Sequence, residues 1–174
     1  KREIANLSTR IFGPTKTLSY DLFPKQTAHG YVHDENANLL GGISAHAGLF
    51  SNAEDLGKYG QMLLDDGIVG EKKILDKDLI YSFTSRQSTV NDANRGYGWD
   101  RPDRDGTSSA GDYFSDKTFG HLGYTGTSFW IDPEQELVVV LLTNRVYPTR
   151  NNPGIKQVRR KFHNTLNKSI LRFN

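Results

Sequence analysis

Three glycines, a histidine and three aliphatic hydroxyls crowd into Gly120-His121-Leu122-Gly123-Tyr124-Thr125-Gly126-Thr127-Ser128. This run leads directly into a β-prone segment. Glycine in or beside a strand lets a ligand approach the backbone closely. Exposed strand N–H groups can then hydrogen-bond a substrate or a developing oxyanion. His121 can donate a hydrogen bond or supply positive charge beside a carboxylate. The same residues also fit a glycine-kinked strand with a surface histidine, and spacing alone does not separate the two.

Other residues invite chemical readings with a structural alternative beside each. His29, His33, Asp34, Glu35 and His46 offer metal-ligand types, and a His-x-x-x-His pair places both rings on one helix face. Gly30 lies between His29 and His33, however, and the segment does not read as a helix, so local hydrogen bonding is favoured and no metal is expected. His46 sits in a Gly/Ala-rich turn, where it orders a loop or lines a cleft. Tyr97 and Trp99 either wall a substrate pocket or pack as core beneath residues 100–118. Arg145 and Arg150 follow an apolar run and either pair with a substrate carboxylate or lie on the surface.

The elements that must position these groups are legible in part. Ser51 and Glu54 have the spacing of a capping box. Leu56, Tyr59, Met62 and Leu63 then follow at helical intervals, predicting a helix over 52–65. A second helix is expected from Asp76 through Phe83. Residues 100–116 read as a long surface loop or ragged hairpin. Thr127 to Ile131, the turn Asp132-Pro133-Glu134-Gln135 and the apolar run Leu137 to Leu142 predict an antiparallel hairpin. Its second strand is apolar throughout, as expected of a strand buried on both faces. A lone hairpin is marginal, so further strands are expected, and none is obvious in the sequence. Ile155, Val158, Phe162, Leu166 and Ile170 are spaced as one face of a closing helix. Residues 1–30 read as a short helix end followed by loop.

Bulk properties bound the function. The 174 residues suit one domain or a large piece of one, with 36% hydrophobic residues to build a core. A net charge of +2, without a basic run, argues against a nucleic-acid partner. No stretch approaches the roughly 20 apolar residues of a membrane span. The absence of cysteine excludes disulfides and thiol catalysis. The opening residues lack the apolar core of a signal peptide.

The run 120–134, followed by Leu-Val-Val-Val-Leu-Leu-Thr-Asn, resembles the last motif region of the serine β-lactamase-like and penicillin-binding protein superfamily. That superfamily includes class C β-lactamases and their esterase relatives. The motif is Lys-Thr-Gly in classical members and His-x-Gly in many esterase and peptidase relatives. Gly41-Gly42 and Ser51-Asn-Ala-Glu-Asp-Leu56 resemble another of its segments. Val32-His33-Asp34-Glu35-Asn36-Ala37 is similar to a subgroup whose domains are fused to family 3 glycoside hydrolases. The resemblance covers about residues 29–165. It implies an α+β fold, with helices packed on an antiparallel sheet and a helix at the end. It also implies that His121, Leu122 and Gly123 stand where Lys-Thr-Gly stands, and that the backbone N–H of Tyr124 is one of two oxyanion-hole donors. His121 would then position a substrate carboxylate or a proton network. Thr125, Gly126, Tyr97, Trp99 and His46 are the associated candidates for substrate contact.

These enzymes need a Ser-x-x-Lys, in which one helical turn sets the lysine amine beside the serine hydroxyl. No serine here has a lysine three residues on. Tyr113-Phe114-Ser115 matches the family's Tyr-x-Asn/Ser element by letters but lies just before the hairpin, in the wrong place. Residues 10–31 look shortened, with only Ile11-Phe-Gly-Pro14 at the usual turn. The expectation is that residues 1–174 form the C-terminal portion of one such domain, with the nucleophile on an upstream segment of the same protein. The substrate would be a small or peptide-like acyl compound, no cofactor is implied, and the family leans towards the bacterial periplasm or cell envelope. A non-catalytic binding module with the same fold is the second reading, and a metal-assisted hydrolase the third.

Overall fold

The computed structural model describes residues 30–87, 94–103 and 105–171. The expected helix end over residues 1–30, with His29 and the 11–14 turn, lies almost wholly outside them. Asp34 caps a short helix α1 (Glu35–Leu39) by accepting a hydrogen bond from the Ala37 N–H at 2.8 Å. The next helix, α2 (Ala53–Leu64), starts one residue later than the capping box predicts. Asn52 is the cap: its Oδ1 accepts from Asp55 N at 2.9 Å, and its Nδ2 donates to the Asp55 carboxylate at 2.8 Å. An amide can do both at once, so Asn52 displaces Ser51. Glu54 turns outward to Lys58 instead.

A small hairpin, β1 (Ile68–Val69) with β2 (Lys72–Lys73), leads to α3 (Lys77–Thr84), capped as expected by Asp76. The main sheet has three antiparallel strands in the order β3 (Phe119–Leu122), β4 (Ser128–Asp132) and β5 (Leu137–Leu141). The final helix α4 spans Ile155–Leu171. The expected α+β arrangement is present.

Strand alternation sorts the core into two halves. On one face Phe119, Phe129, Ile131 and Val138 meet Met62 and Leu63 of α2, with Ile80 of α3 and Trp99 beside them. On the other face Leu122, Trp130, Leu137 and Val139 meet Phe162 and Leu166 of α4, with Ala110 and Phe114. The sheet is therefore held between helices on both sides.

Three expectations need correction. The strand β5 has apolar neighbours on both faces, but only Val139 is buried. It is an outer strand, and among the described residues nothing pairs with its far edge. The third strand comes from the glycine-containing Phe119–Leu122, which has little strand character alone. The loop or ragged hairpin expected over 100–116 is a loop drawn partly into the core: Ser108, Ala110 and Phe114 are buried, as is Thr118 just beyond, while residues 105–107, 112 and 116 are exposed. Asp132, fully buried, draws this segment in by accepting from Ser115 N at 2.7 Å and Ser115 Oγ at 2.6 Å.

The closing helix also departs from its apolar pattern. Val158 is exposed, whereas Arg159, His163 and Asn167, each four residues from the next, are buried. Arg159 and His163 reach partners on the sheet side and Asn167 donates to His163 O within the helix, which offsets part of the burial cost, while His163 Nδ1 and Asn167 Oδ1 have no partner among the described residues.

Candidate functional site

The β3–β4 connection is a tight turn closed by Gly126 N donating to Gly123 O at 3.0 Å, with Tyr124 and Thr125 at its centre. Gly126 has φ +119°, and a Cβ there would lie 2.3 Å from Thr143 Oγ1, so only glycine fits. Thr143 Oγ1 uses that space to donate to Gly126 O at 2.7 Å.

Parity along β3 decides which backbone groups remain open. Gly123 N donates inward to Thr127 O at 2.8 Å. Gly120 points the other way and exchanges two bonds with Asp100, at 2.8 and 2.9 Å. Leu122 shares the parity of Gly120 and lies past Asp100, so its N–H faces the open edge of the sheet. In the turn that follows, the Gly123 carbonyl accepts from Gly126 N, so the Tyr124 N–H at the other end of the same planar peptide points away from β4 to that open side. The His121 side chain is exposed, and its Nδ1 lies 3.0 Å from Leu122 O on this same edge.

Two arginines hold the turn from behind. Arg145 donates from Nε to Tyr124 O at 2.8 Å, and its backbone N donates to Thr125 O at 2.7 Å. Its guanidinium also covers the Tyr124 ring, 4.3 Å from the centroid. Arg159, only 5% exposed, donates to Gly123 O and Thr127 O at 2.7 Å and to Gly126 O at 3.3 Å. Burial, and then the charge of Arg145, lower its pKa. Among the described residues no carboxylate pairs with either arginine. Positive charge thus sits behind a turn whose free N–H groups point outward, which suits an acyl oxygen gaining negative charge.

The segment around α1 packs beside this turn. His33 stacks on Tyr124 with centroids 5.8 Å apart, and burial followed by the nearby Arg150 lowers its pKa. Arg150 pairs with Glu35 at 2.5 Å and so does not offer itself as the free carboxylate ligand considered from sequence. His46 links Ser44 Oγ, 2.6 Å from Nδ1, to Asp34 Oδ1, 2.9 Å from Nε2. This serine–histidine–aspartate chain is solvent-exposed, and its Asp34 oxygen also caps α1, so it ties residues 44–46 to the helix start. With His33 and His46 engaged this way, no group of three metal-ligand side chains forms among the described residues.

Trp99 packs edge-on to Phe119 at 5.0 Å, within the core between the sheet and α2. Tyr97 is exposed and contacts Phe83 of α3 at 5.6 Å. The structure gathers His121, Leu122, Gly123, Tyr124, Thr125 and Gly126 on one strand and turn, with His33 alongside, while Trp99 packs on Phe119, Tyr97 contacts Phe83 and His46 is tied to Asp34. Sequence reasoning missed Arg159, whose only signal was a long basic side chain four residues before a histidine on the same helix.

A protein-family model described as Beta-lactamase matches residues 6–163. The chain is 35% identical over 152 residues to proteins of Salmonella typhi and Salmonella newport, provisionally named D-alanyl-D-alanine carboxypeptidase. Each alignment covers 85% of this chain and 35% of the relative, so the chain spans about a third of these relatives' length. Among solved structures, a β-lactamase from Mycobacterium bovis superposes with a TM-score of 0.48 at 21% identity, covering 73% of this chain and 53% of that one. Among the described residues no helix is long and apolar enough to cross a membrane.

Proposed function

The chain belongs to the β-lactamase family, and on that premise we propose that it is the acyl-binding part of a serine hydrolase. The reaction is acyl transfer from an ester, amide or β-lactam-like substrate. Given the carboxypeptidase relatives, a peptide ending in D-alanine is the first substrate to try. The observation that carries this reading is the open edge at Leu122 and Tyr124. A substrate laid along that edge adds as a short strand. Its scissile carbonyl oxygen then accepts from Tyr124 N–H, while His121 lies at the rim to orient a carboxylate or a proton network.

The nucleophile in this proposal belongs to a Ser-x-x-Lys outside these 174 residues. Its hydroxyl attacks the acyl carbon, the lysine amine takes the proton, and the negative charge gathers on the oxygen held by Tyr124. The unpaired edge of β5 is where strands of that segment would complete the sheet. A place in the bacterial cell envelope follows from the same reading, since that is where peptides ending in D-alanine are met.

A binding module that keeps the cleft without the chemistry is the second reading, and the lack of any Ser-x-x-Lys in this sequence favours it. Labelling with a fluorescent penicillin and with a fluorophosphonate separates the two. The whole protein is expected to label and these 174 residues alone are not. A whole protein that takes neither probe overturns the hydrolase reading in favour of the binding module.

A further inference from the structure

From the hydrogen bonds of Arg159 we infer that this buried arginine is a positioning residue, setting the orientation and polarity of the peptide unit that carries the Tyr124 N–H. The inference rests on the proposed role of that N–H as an oxyanion donor. Gly123 C=O and Tyr124 N–H are the two ends of one planar peptide. Fixing the carbonyl therefore fixes the direction of the N–H. Gly123 O accepts from Arg159 Nη2 at 2.7 Å and from Gly126 N at 3.0 Å, so both of its lone pairs are engaged. The same Nη2 reaches Thr127 O at 2.7 Å, and Nε reaches Gly126 O at 3.3 Å. One rigid guanidinium thus grips the turn at three carbonyls, which a lysine ammonium cannot match in geometry.

Charge adds to geometry. Arg159 is almost fully buried, and among the described residues no carboxylate neutralises it. Its field falls on the Gly123 carbonyl and draws electron density towards that end of the peptide. The opposite end, Tyr124 N–H, becomes a stronger donor, as in any chain of polarised hydrogen bonds. Ser128 and His163 hold the neighbouring stretch of α4 to β4 through a 3.1 Å contact, so the arginine is presented from a fixed support. Nothing in this arrangement requires Arg159 to touch substrate.

The test uses the whole protein with Arg159→Met and Arg159→Lys, reading two independent quantities. The first is the amide resonance of Tyr124 by NMR. The second is the split between kcat and KM on an acyl substrate. Asn167→Ala, a buried change two turns along α4, controls for general loosening. The Met variant is expected to shift the Tyr124 amide upfield and lower kcat about 100-fold with KM changed far less, the scale of a misplaced catalytic group. The Lys variant should fall between, and it carries the test should the Met variant fail to fold. Asn167→Ala should move neither quantity. An unmoved Tyr124 amide in the arginine variants overturns the inference. An amide that moves while kcat holds upholds the positioning and overturns the reading of Tyr124 as an oxyanion donor.

Discussion

Gly120 and Trp130 stand opposite each other on β3 and β4, and the indole occupies the space a Gly120 side chain would need. A Cβ at position 120 would lie 2.2 Å from Phe129 O and 2.4 Å from Trp130 Cε3. One obstacle is backbone and the other a ring buried against α4, so neither yields cheaply. Gly120→Ala is expected to destabilise the fold by about 3 kcal/mol, the upper end for overpacking. Gly57, in the middle of α2 with nothing within 4 Å of its Cβ position, is the contrast. Gly57→Ala should stabilise by roughly 0.5–1 kcal/mol through helix propensity. Urea unfolding of both variants gives the two opposite signs, or refutes the packing account.

Asp132 holds the partly buried 108–118 segment to the sheet. Its carboxylate accepts from Ser115 N and Oγ, and also from Glu134 N at 3.0 Å and Gln135 N at 3.2 Å in the turn that follows. Losing the carboxylate leaves several donors unmatched, so Asp132→Ala should cost about 3 kcal/mol, whereas Ser115→Ala removes one charge-assisted bond and should cost about 1.5 kcal/mol. A double-mutant cycle is expected to show strong coupling, with the second substitution adding little to the first. Additive effects would mean that the two residues stabilise separate regions.

His163 is fully buried, and burial followed by the charge of Arg159 pushes its pKa down to about 4. In the unfolded chain the group titrates near 6.5. The folded state therefore favours the neutral ring. Its contribution is complete above pH ~6.5 and is lost as pH falls towards the folded pKa, levelling off below it. The full span corresponds to about 3 kcal/mol. His163→Gln keeps a polar partner for Ser128 but cannot titrate. The stability gap between the native chain and this variant should narrow on going from about pH 8 to about pH 4.5. A gap independent of pH would place the loss of stability in packing alone.

The parts of this fold that were legible in sequence are those governed by local rules. Asp76 announces α3 because a cap needs only its own helix, and the Asp132–Gln135 turn announces the hairpin for the same reason. The missed features depend on partners distant in sequence. Phe119–Leu122 becomes a strand only because β4 is there to pair with it, and its glycine is required by Trp130 rather than by β propensity. The apolar spacing of α4 marked Phe162 and Leu166, which do pack against the sheet, but also Val158, which is exposed, and the most deeply buried stripe is Arg159, His163 and Asn167. Arg159 and His163 are buried because the carbonyls of the 123–127 turn and the hydroxyl of Ser128 await them, which no periodicity reveals. The candidate site shows the same division: residues 120–126 stand out as a motif and Arg145 as a nearby cation, while Arg159 and the grip of both arginines on the turn carbonyls emerge only from the three-dimensional arrangement.

The donor assigned to Tyr124 belongs to the main chain, so side-chain and backbone substitutions should part company. Tyr124 occupies the second position of the Gly123–Gly126 turn, and its φ is not positive. That is the position where proline is favoured in common turns, so Tyr124→Pro deletes the N–H while the turn can persist. On the proposed function this variant of the whole protein should lose about 100- to 1000-fold in kcat, the cost of one oxyanion donor. Tyr124→Ala keeps the N–H and removes the ring contacts with Arg145 and His33. It should lose far less in kcat and show its effect mainly in KM, since an exposed ring at the rim contributes binding and little else. Equal losses in kcat from both variants would move the catalytic contribution from the backbone to the ring, and the oxyanion assignment would fall.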